Sequence, residues 1–420
     1  MSDFFATKRN ENLRKMKLLQ NGTPFVGVTR FSVYAPNKAG LNTSARHVGS
    51  ESAYMQELYA PERLDDRLRI FGQIAAPIYD SFAQRYDYTH LVQYSKELPE
   101  AYQGKLFEIA KKYPCVKPVL VQDEDMDVSV RKYLAHWDPS FVGPFVWFRV
   151  DDDDVLSVDY LDALGRYATP SNVGMAVSFS TVMVAQYACG RFLNFRQGYL
   201  PKNSIGQAYI GWANVHEGVF DVPKQRPHNQ IDKYAPLILD PRGIRGLQVR
   251  HAWQDTSNIE SKVGHRIAHR ATELGKLPNV NWKHVEEKFP SLVSFARPNE
   301  PEVEVKLRVG EWTDVAKDFS PLRAGTVVEA RWRLTFDGRP NDGASLSLLF
   351  DNEELAEGHF PRDEARGNYR RLHVNSQSIG GNFFVIPEGA RIKSVRLNAD
   401  GGEKNVKTAQ ITLATVGELS

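Results

Sequence analysis

The sequence of 420 residues contains only two cysteines, Cys115 and Cys189, and each lies inside an apolar segment. Their number and spacing argue against a disulfide framework and a cysteine-based metal site, and they favour a reducing compartment. The chain has no run of the roughly 20 apolar residues that a membrane-spanning helix needs. Its first 20 residues are polar and basic, without an apolar segment of signal-peptide length. We therefore expect a cytoplasmic protein whose only association with the inner membrane, if it has one, is peripheral.

An excess of charge of either sign is also missing, because 53 basic residues face 51 acidic ones. This balance gives no support to nucleic-acid binding. A phosphate loop ending in Gly-Lys-Ser or Gly-Lys-Thr is absent, which disfavours a nucleoside triphosphatase. The apolar fraction of 42% is enough for buried cores. The length exceeds one typical domain of about 100 to 200 residues, so two domains are expected.

The most informative feature present is a run of four aspartates, Asp151 to Asp154, directly after the apolar segment Pro144 to Val150. Adjacent carboxylates repel one another, which raises their pKa values unless a positive charge is bound. Oxygen ligands at a strand end suit a hard divalent cation. The alternative is a solvated acidic loop or helix start, since Asp is favoured at N-caps and in first turns.

Predicted strands and helices alternate from about residue 24 to residue 165. The apolar runs Pro24–Thr29, Tyr88–Tyr94 and Cys115–Gln122 predict strands, and apolar residues at three- and four-residue steps between them predict helices. This pattern predicts an α/β domain of GT-A-like, Rossmann-like type, with a mixed, mostly parallel sheet. Ligands of such sheets bind beyond the carboxyl ends of the strands, which is where the aspartates are expected. Their position therefore favours a functional role.

The composition changes near residue 297, and strict alternation in Val328–Phe336 then introduces several short strands separated by turns. This pattern predicts an all-β sandwich of the jelly-roll type. We expect a polar N-terminal extension at residues 1–21, an α/β domain at 22–296, a linker at 297–302 and the sandwich at 303–420. The sandwich is a candidate for acceptor-glycan binding or for homo-oligomerisation.

Four segments, in the same order, resemble the bacterial rhamnosyltransferase family over roughly residues 22 to 275. They are Val28-Thr-Arg-Phe-Ser32, Arg67-Leu, Tyr94-Ser-Lys-Glu-Leu-Pro99 and Phe148-Arg-Val-Asp-Asp-Asp-Asp-Val-Leu156. The resemblance implies a GT-A-type glycosyltransferase that moves a sugar, rhamnose by the family's label, from a nucleotide-diphosphate donor. The acceptor would be a glycan or glycolipid in bacterial polysaccharide synthesis. The most specific element is Arg149 followed by the acidic run.

The resemblance also implies an Asp-x-Asp motif that binds Mn²⁺ or Mg²⁺ together with the donor. The four aspartates contain two overlapping versions of this motif. Alternate residues of an extended segment point to opposite faces, so one pair is expected to serve. We predict Asp151 and Asp153 as metal ligands with Asp154 in support, and we place Asp152 among the substrate-binding residues.

A later histidine often completes the metal site in GT-A enzymes. His216, His228 and His251 stand at plausible positions. His228 lies in a polar, loop-like cluster, and His251 ends an apolar run. We predict these two as candidate ligands, with a hydrogen-bonded structural histidine as the alternative for each.

Two arginines are candidate substrate-binding residues. Arg30 follows the first predicted strand, where a guanidinium fork would match the oxygen pairs of a nucleotide or diphosphate. Its alternative is an ordinary ion pair. Arg149 precedes Asp151 by two residues and is expected to neutralise the acidic run from behind.

An inverting transfer requires a base for the acceptor hydroxyl, and Glu217 and Asp221 are the candidates. Either of them would equally suit a solvated turn. Trp212 and Trp253 are candidates for stacking on a sugar ring, with core packing as the alternative.

Two other function classes stay open. The first is a non-enzymatic carbohydrate-binding protein in which the acidic run holds a structural Ca²⁺. The second is a metal-dependent nucleotidyltransferase, which would release pyrophosphate rather than a nucleoside diphosphate or monophosphate.

Overall fold

A computed structural model describes most of the chain in two compact units. Unit 1 comprises the described residues of Met1–Val184, Gln197–Val249 and Val280–Ser294, and unit 2 those of Ala185–Arg196, Arg250–Asn279 and Phe295–Ser420. The described residues are 22–35, 50–122, 124–188, 190–254, 270, 273–274, 277–296, 303–315, 326–336, 344–356, 360–372, 379–386, 390–399 and 406–418. The predicted N-terminal extension, the predicted linker and Cys189 lie outside them.

The strands of the first two thirds of the chain follow the apolar runs closely. They are β1 (Phe25–Arg30), β2 (Tyr88–Ser95), β3 (Val116–Val121), β4 (Val142–Arg149), β5 (Val155–Leu156), β6 (Ala176–Phe179), β7 (Thr181–Ala188), β8 (Arg191–Tyr199), β9 (Gln207–Asn214), β10 (Val219–Asp221), β11 (Leu237–Asp240) and β12 (Gly246–Arg250). The two long strands β7 and β8 were not predicted, although both carry apolar residues.

The main sheet of unit 1 is mixed and mostly parallel, as predicted. Its order is β11-β6-β9-β4-β1-β2-β3, with β10 paired to β9. β1 pairs in parallel with β2 and β4, β2 with β3, and β6 with β11. β9 is antiparallel to β4, β6 and β10. Seven strands therefore point their carboxyl ends in one direction, towards the edge of the sheet that we call the carboxyl edge: β1, β2, β3, β4, β6, β10 and β11.

Helices connect and cover these strands. They are α1 (Glu51–Leu58), α2 (Pro61–Arg69), α3 (Ala76–Arg85), α4 (Glu100–Lys112), α5 (Met126–Leu134), α6 (Tyr160–Leu164) and α7 (Trp282–Lys288). A π-helical segment, Ile70–Ala75, joins α2 to α3 and makes one interrupted helix from residue 61 to residue 85. A helix between the first two strands is what the three- and four-residue spacing of apolar residues predicted. Single-turn π segments are often found near functional sites. Within the described ranges, every helix is too short or too polar to cross a membrane.

Short 3-10 helices complete this part of the chain at Pro170–Asn172, His228–Lys233 and Pro290–Phe295. One face of the main sheet packs against α5 in a cluster that includes Val26, Leu91, Val130 and Trp147, all fully or nearly fully buried. The Trp147 ring stacks on Tyr209 of β9 with 4.5 Å between centroids. This packing fixes β4, the strand that leads into the aspartates.

The described part of the chain beyond residue 302 is built from strands and one 3-10 turn, Glu354–Ala356. The strands are β13 (Val303–Arg308), β14 (Trp312–Asp314), β15 (Thr326–Phe336), β16 (Ala344–Phe350), β17 (Arg362–Asp363), β18 (Gly367–Arg371), β19 (Ile379–Val385), β20 (Ile392–Ala399) and β21 (Val406–Glu418). They pair into two antiparallel sheets, β13-β21-β15-β19 and β14-β20-β16-β18-β17. One apolar cluster draws buried residues from both sheets, among them Trp332 of β15 and Leu348 of β16.

Candidate functional site

The four aspartates follow β4 at the carboxyl edge, beside the end of β1. The parallel register puts Val28 next to Arg149, and the Val150 N–H donates to the Val28 carbonyl at 3.1 Å. The two strands therefore end side by side. Phe31 and Ser32, which follow β1, therefore lie against the acidic run. The aspartates are beyond the carboxyl ends of parallel strands, where ligands of such sheets bind.

Asp151 is the most exposed member of the run, with a side chain 38% accessible. Arg149 donates to one carboxylate oxygen at 2.7 Å, and the Ser204 hydroxyl donates to the other at 3.1 Å. Arg149 thus pairs with Asp151 from the end of β4. Ser204 comes from the loop before β9, so a residue of β4 and a residue 53 positions further along the chain together orient this carboxylate.

Asp152 is buried instead of facing a substrate, because its side chain is only 2% accessible. One oxygen meets Nη1 of Arg67, and the other accepts from the Ser32 N–H at 3.2 Å and from the Ser32 hydroxyl at 3.5 Å. Burial raises the pKa of the Asp152 carboxyl, and the Arg67 guanidinium opposes that shift. These contacts argue against the predicted contact of Asp152 with a substrate, and they indicate an internal structural role instead.

Asp153 and Asp154 are both buried, and they differ in their partners. The Asp153 side chain is 11% accessible and lies 3.0 Å from Nη2 of Arg67. Asp154 is buried, and its carboxylate accepts from the Val249 N–H at 3.1 Å. Asp151 is thus the one member of the run that is not buried. We use the name outward pair for Asp151 and Asp153, the two predicted metal ligands.

Two buried arginines on α2, Arg63 and Arg67, hold this edge together. They are four residues apart, so they project from one face of the helix. Nη1 of Arg63 donates to the Ser32 hydroxyl and to the Leu58 carbonyl, both at 2.8 Å. No role was predicted for either arginine from the sequence. The available signal was a pair of arginines flanking Leu64 at helical spacing, on the face that also carries apolar residues.

Ser32 adopts a left-handed backbone conformation, with φ of 45°. A non-glycine residue in this region costs free energy on the order of 1 to 3 kcal/mol and persists only when its surroundings enforce it. Asp152 and Arg63 supply that enforcement through the hydrogen bonds described above. The strained turn thus lies directly after β1, in contact with the acidic run.

A buried hydrogen-bond chain supports the acidic run from below. The Thr29 hydroxyl donates to the Val150 carbonyl at 2.9 Å, so its oxygen accepts from Nε2 of His90, also at 2.9 Å. Nδ1 of His90 is then the acceptor for the Tyr88 hydroxyl at 2.6 Å. Burial lowers the pKa of His90 to about 3, so the ring is neutral at physiological pH.

Gly27 makes room for this chain. A Cβ atom at Gly27 would lie 2.4 Å from Nδ1 of His90 and 2.8 Å from the Tyr88 hydroxyl. The His90 ring also stacks on Tyr79, with 4.0 Å between ring centroids. Side chains from β1, β2 and α3 thereby fix the backbone that immediately precedes Asp151.

Arg30 is engaged by protein groups at the same edge. Its Nε donates to Gln93 at 3.3 Å, its Nη2 donates to the Glu124 carbonyl at 3.0 Å, and Asp125 lies 3.6 Å away. These contacts match the alternative that the sequence left open, an ordinary ion pair. A substrate contact by Arg30 stays a prediction.

The two predicted histidine ligands fall in different units. His228 starts a 3-10 helix, and its carbonyl accepts from Gln207, the residue that pairs with Arg149. Burial lowers the pKa of the His228 imidazole, Arg149 lowers it further, and Asp151 opposes both. His228 is therefore at the carboxyl edge. His251 and Trp253 belong to unit 2, where Nδ1 of His251 accepts from the Trp253 N–H at 3.3 Å.

Glu217, Asp221 and Trp212 lie at the opposite end of the main sheet. Asp221 pairs with Trp212, and Trp212 pairs with Pro144, near the start of β4. Seven residues at about 3.3 Å each separate Pro144 from Asp151, a span of about 23 Å. Glu217 lies in the turn beyond the far end of this pairing. This register corrects the expectation that Glu217 or Asp221 acts as a base, or Trp212 as a stacking platform, beside the aspartates.

Comparison with known families connects this edge to a known group of proteins. A model of the family described as "Putative rhamnosyl transferase" matches residues 24–263, more than half of the chain. The chain belongs to this family. The match begins just before β1 and includes Arg63, Arg67 and all four aspartates, and it confirms the resemblance noted in the sequence. Membership supports a glycosyltransferase.

Solved structures show weaker likenesses. The inositol-1-phosphate CTP transferase from T. maritima has 9% identity and a TM-score of 0.25, covering 62% of this chain and 100% of its own. S. aureus TarS 1-349 has 9% identity and a TM-score of 0.24, covering 65% and 70%. 4-Diphosphocytidyl-2C-methyl-D-erythritolsynthase from Anaerococcus prevotii has 10% identity and a TM-score of 0.20, covering 61% and 100%. All three TM-scores are too low to establish a common fold. No curated protein matches the chain.

Asp151 and Asp153 are the candidate ligands of a metal ion that would arrive with a substrate. Among the residues that the structure describes, no group of three or more His, Cys, Asp or Glu side chains is arranged to hold a metal. Mg²⁺ sites at phosphates, however, usually use one or two carboxylates and take their other ligands from phosphate and water. Asp151 and Asp153, the outward pair, supply that number. Asp154, predicted in support, is already engaged with Val249.

Proposed function

We propose that this chain is a metal-dependent glycosyltransferase. It would move a sugar, rhamnose by the family's description, from a nucleotide-diphosphate donor to a glycan acceptor in bacterial polysaccharide synthesis. The observation that carries the proposal is the family match over residues 24–263, which spans the carboxyl edge with its outward pair of carboxylates.

In this proposal the donor diphosphate lies over the outward pair, Asp151 and Asp153. A divalent ion, Mn²⁺ or Mg²⁺, would stabilise the charge that develops on the leaving diphosphate. Arg149 and Ser204 orient the Asp151 carboxylate, and Arg67 orients that of Asp153. The Asp151 carboxylate, fixed in this way by Arg149 and Ser204, would need no reorganisation when the donor binds, which is how electrostatic preorganisation lowers a barrier.

His228 stays the candidate third protein ligand of the ion. Its position in the loop before β11 and the influence of both Arg149 and Asp151 on its pKa support a site next to the outward pair. A neutral imidazole is the form that binds metal ions. Inverting stereochemistry is part of the proposal, but Glu217 and Asp221 are not its base, because the strand register keeps them at the other end of the sheet.

For the C-terminal region we infer a β-sandwich of the jelly-roll type. Two features support it: the two antiparallel sheets, and the single apolar cluster to which both sheets contribute buried side chains. A sandwich is the arrangement that lets two sheets cover each other's apolar faces.

A donor screen tests the proposed function. Nucleotide sugars are added to the purified protein with and without Mn²⁺ or Mg²⁺, and the melting temperature is measured. We expect one donor to raise it only when the metal is present, and that donor to release a nucleoside diphosphate or monophosphate when a glycan acceptor is added. Stabilisation by glycans alone would point instead to a carbohydrate-binding protein, and release of pyrophosphate to a nucleotidyltransferase.

A further inference from the structure

Arg67 joins two neighbouring aspartates with the two arms of one guanidinium. Nη1 contacts Asp152, and Nη2 lies 3.0 Å from Oδ2 of Asp153. The three side chains are 6%, 2% and 11% accessible, so this is a buried cluster and not a solvated surface pair. A guanidinium suits such bridging because its N–H donors lie in one plane in a rigid fork. The single ammonium group of a lysine could not reproduce it.

The position of Arg67 is fixed independently of the aspartates. It lies one helical turn after Arg63, which binds the Ser32 hydroxyl and the Leu58 carbonyl. Ser32 in turn donates to Asp152. The α2 helix, the strained turn after β1 and the acidic run are thereby tied into one unit, and Arg67 cannot swing away from both carboxylates without breaking it.

This arrangement conflicts with simple binding of a bare cation. Oδ2 of Asp153 is one of the oxygens that the outward pair would offer to a divalent ion, and Arg67 already contacts it. Two positive groups at one oxygen repel each other, most strongly where water is largely excluded. The ion must therefore displace Arg67 from Asp153, while Asp152 can still retain the other arm.

We propose that Arg67 is an internal counter-ion that competes with the divalent ion for Asp153. It would weaken the binding of the bare ion, so that the ion binds well only when a diphosphate adds its negative charge. Coupling of this kind is reciprocal, and each of the two ligands strengthens the binding of the other. The inference rests on the proposed function. Arg67 is a positioning residue in it, acting through Asp153.

A charge-balanced double variant, Arg67→Met with Asp152→Asn, separates competition from net charge. It removes one positive and one negative charge, so the charge near Asp153 stays the same while the carboxylate is released. We expect calorimetric titration with Mn²⁺ alone to show an affinity about tenfold higher than that of the wild type, the equivalent of one charge-assisted hydrogen bond. The matched control, Asp152→Asn alone, keeps Arg67 on Asp153 and should bind no tighter than the wild type.

A second variant, Arg67→Lys, keeps the charge but has one ammonium group in place of the fork. We expect its Mn²⁺ affinity to lie between those of the wild type and the double variant, so it tests the idea even if the double variant does not fold. Unchanged or weaker affinity in the folded variants would overturn the role of Arg67. If the donor screen has succeeded, that result leaves the proposed function standing, whereas tighter Mn²⁺ binding supports the competition whichever donor is used.

Discussion

The two ends of the main sheet in unit 1 treat charged residues in opposite ways. At the carboxyl edge, Arg67, Asp152 and Asp154 are buried and engaged, and their partners come from segments far apart in the sequence. At the other end, Glu217 and Asp221 belong to one hairpin and are exposed. Burying a charge is costly unless it is paired, so only the carboxyl edge carries an arrangement that the fold must actively maintain. A functional site is expected at the end of the sheet where charged side chains are buried despite this free-energy cost.

The strongest test of this comparison replaces Asp151 and Asp153 together by Asn. We expect turnover with the donor from the screen to fall by at least about a thousandfold, because stabilisation of the leaving diphosphate is lost. The fold should persist, since Asn keeps the volume and one acceptor oxygen of each Asp, and Asp152 remains as the partner of Arg67. Initial rates and circular dichroism measure the two effects. Normal rates in the variant, or in excess chelator, would refute a metal mechanism.

The next largest effect concerns stability at the carboxyl edge. Arg67→Met alone should lower the free energy of unfolding by about 3 kcal/mol, because it leaves the buried Asp152 carboxylate without its cation. Adding Asp152→Asn should restore most of the loss, since the uncompensated charge disappears. Urea-induced unfolding of both variants makes the measurement. A double variant as unstable as the single one would show that Arg67 stabilises mainly by packing.

A smaller effect should come from His90, in the hydrogen-bond chain under the aspartates. Its pKa is lowered from 6.5 to about 3 in the folded protein, so below pH 6.5 the unfolded chain takes up a proton that the folded chain does not. Stability is therefore lost as the pH falls, by about 2 kcal/mol between pH 7 and pH 5. His90→Asn should be less stable at pH 7 and should lose about 2 kcal/mol less over this interval. Equal losses in both proteins would assign the acid sensitivity to other groups.

Much of the carboxyl edge could be predicted because its signals are local. The apolar runs of β1, β2, β3 and β4 stand out in the sequence, and their alternation with helices indicates parallel pairing. Because the run of four aspartates follows one of these parallel strands, the topology alone predicts that it lies at the carboxyl edge. The orientation of the four carboxylates, however, does not follow from the extended geometry that the sequence suggested. Asp152 and Asp153 lie in a turn, in which the Asp154 N–H donates to the Asp151 carbonyl at 3.1 Å.

The parts that could not be predicted depend on contacts between distant segments. Arg67 and Asp152 are 85 residues apart, and nothing local to α2 indicates that its buried face meets a carboxylate. The direction of β9 is equally hidden, because an apolar strand has the same pattern whether it runs parallel or antiparallel. Because β9 runs antiparallel to β4, Glu217, which follows β9, lies at the opposite end of the sheet from the aspartates. The sequence separation alone could not reveal this, and it suggested a base in the wrong place.

The smallest expected effect completes the comparison at the opposite end of the sheet. Glu217→Gln with Asp221→Asn removes two carboxylates, as the variant at Asp151 and Asp153 does, from exposed positions about 20 Å or more from the acidic run. We expect turnover within about twofold of the wild type and an unchanged melting temperature, because exposed charges at this distance are screened by salt. Initial rates at saturating donor and varied acceptor decide the matter. A large rise in the acceptor concentration needed for half-maximal rate, with an unchanged maximal rate, would mean that the acceptor extends to this end of the sheet. Both ends would then be functional, one in catalysis and the other in acceptor binding.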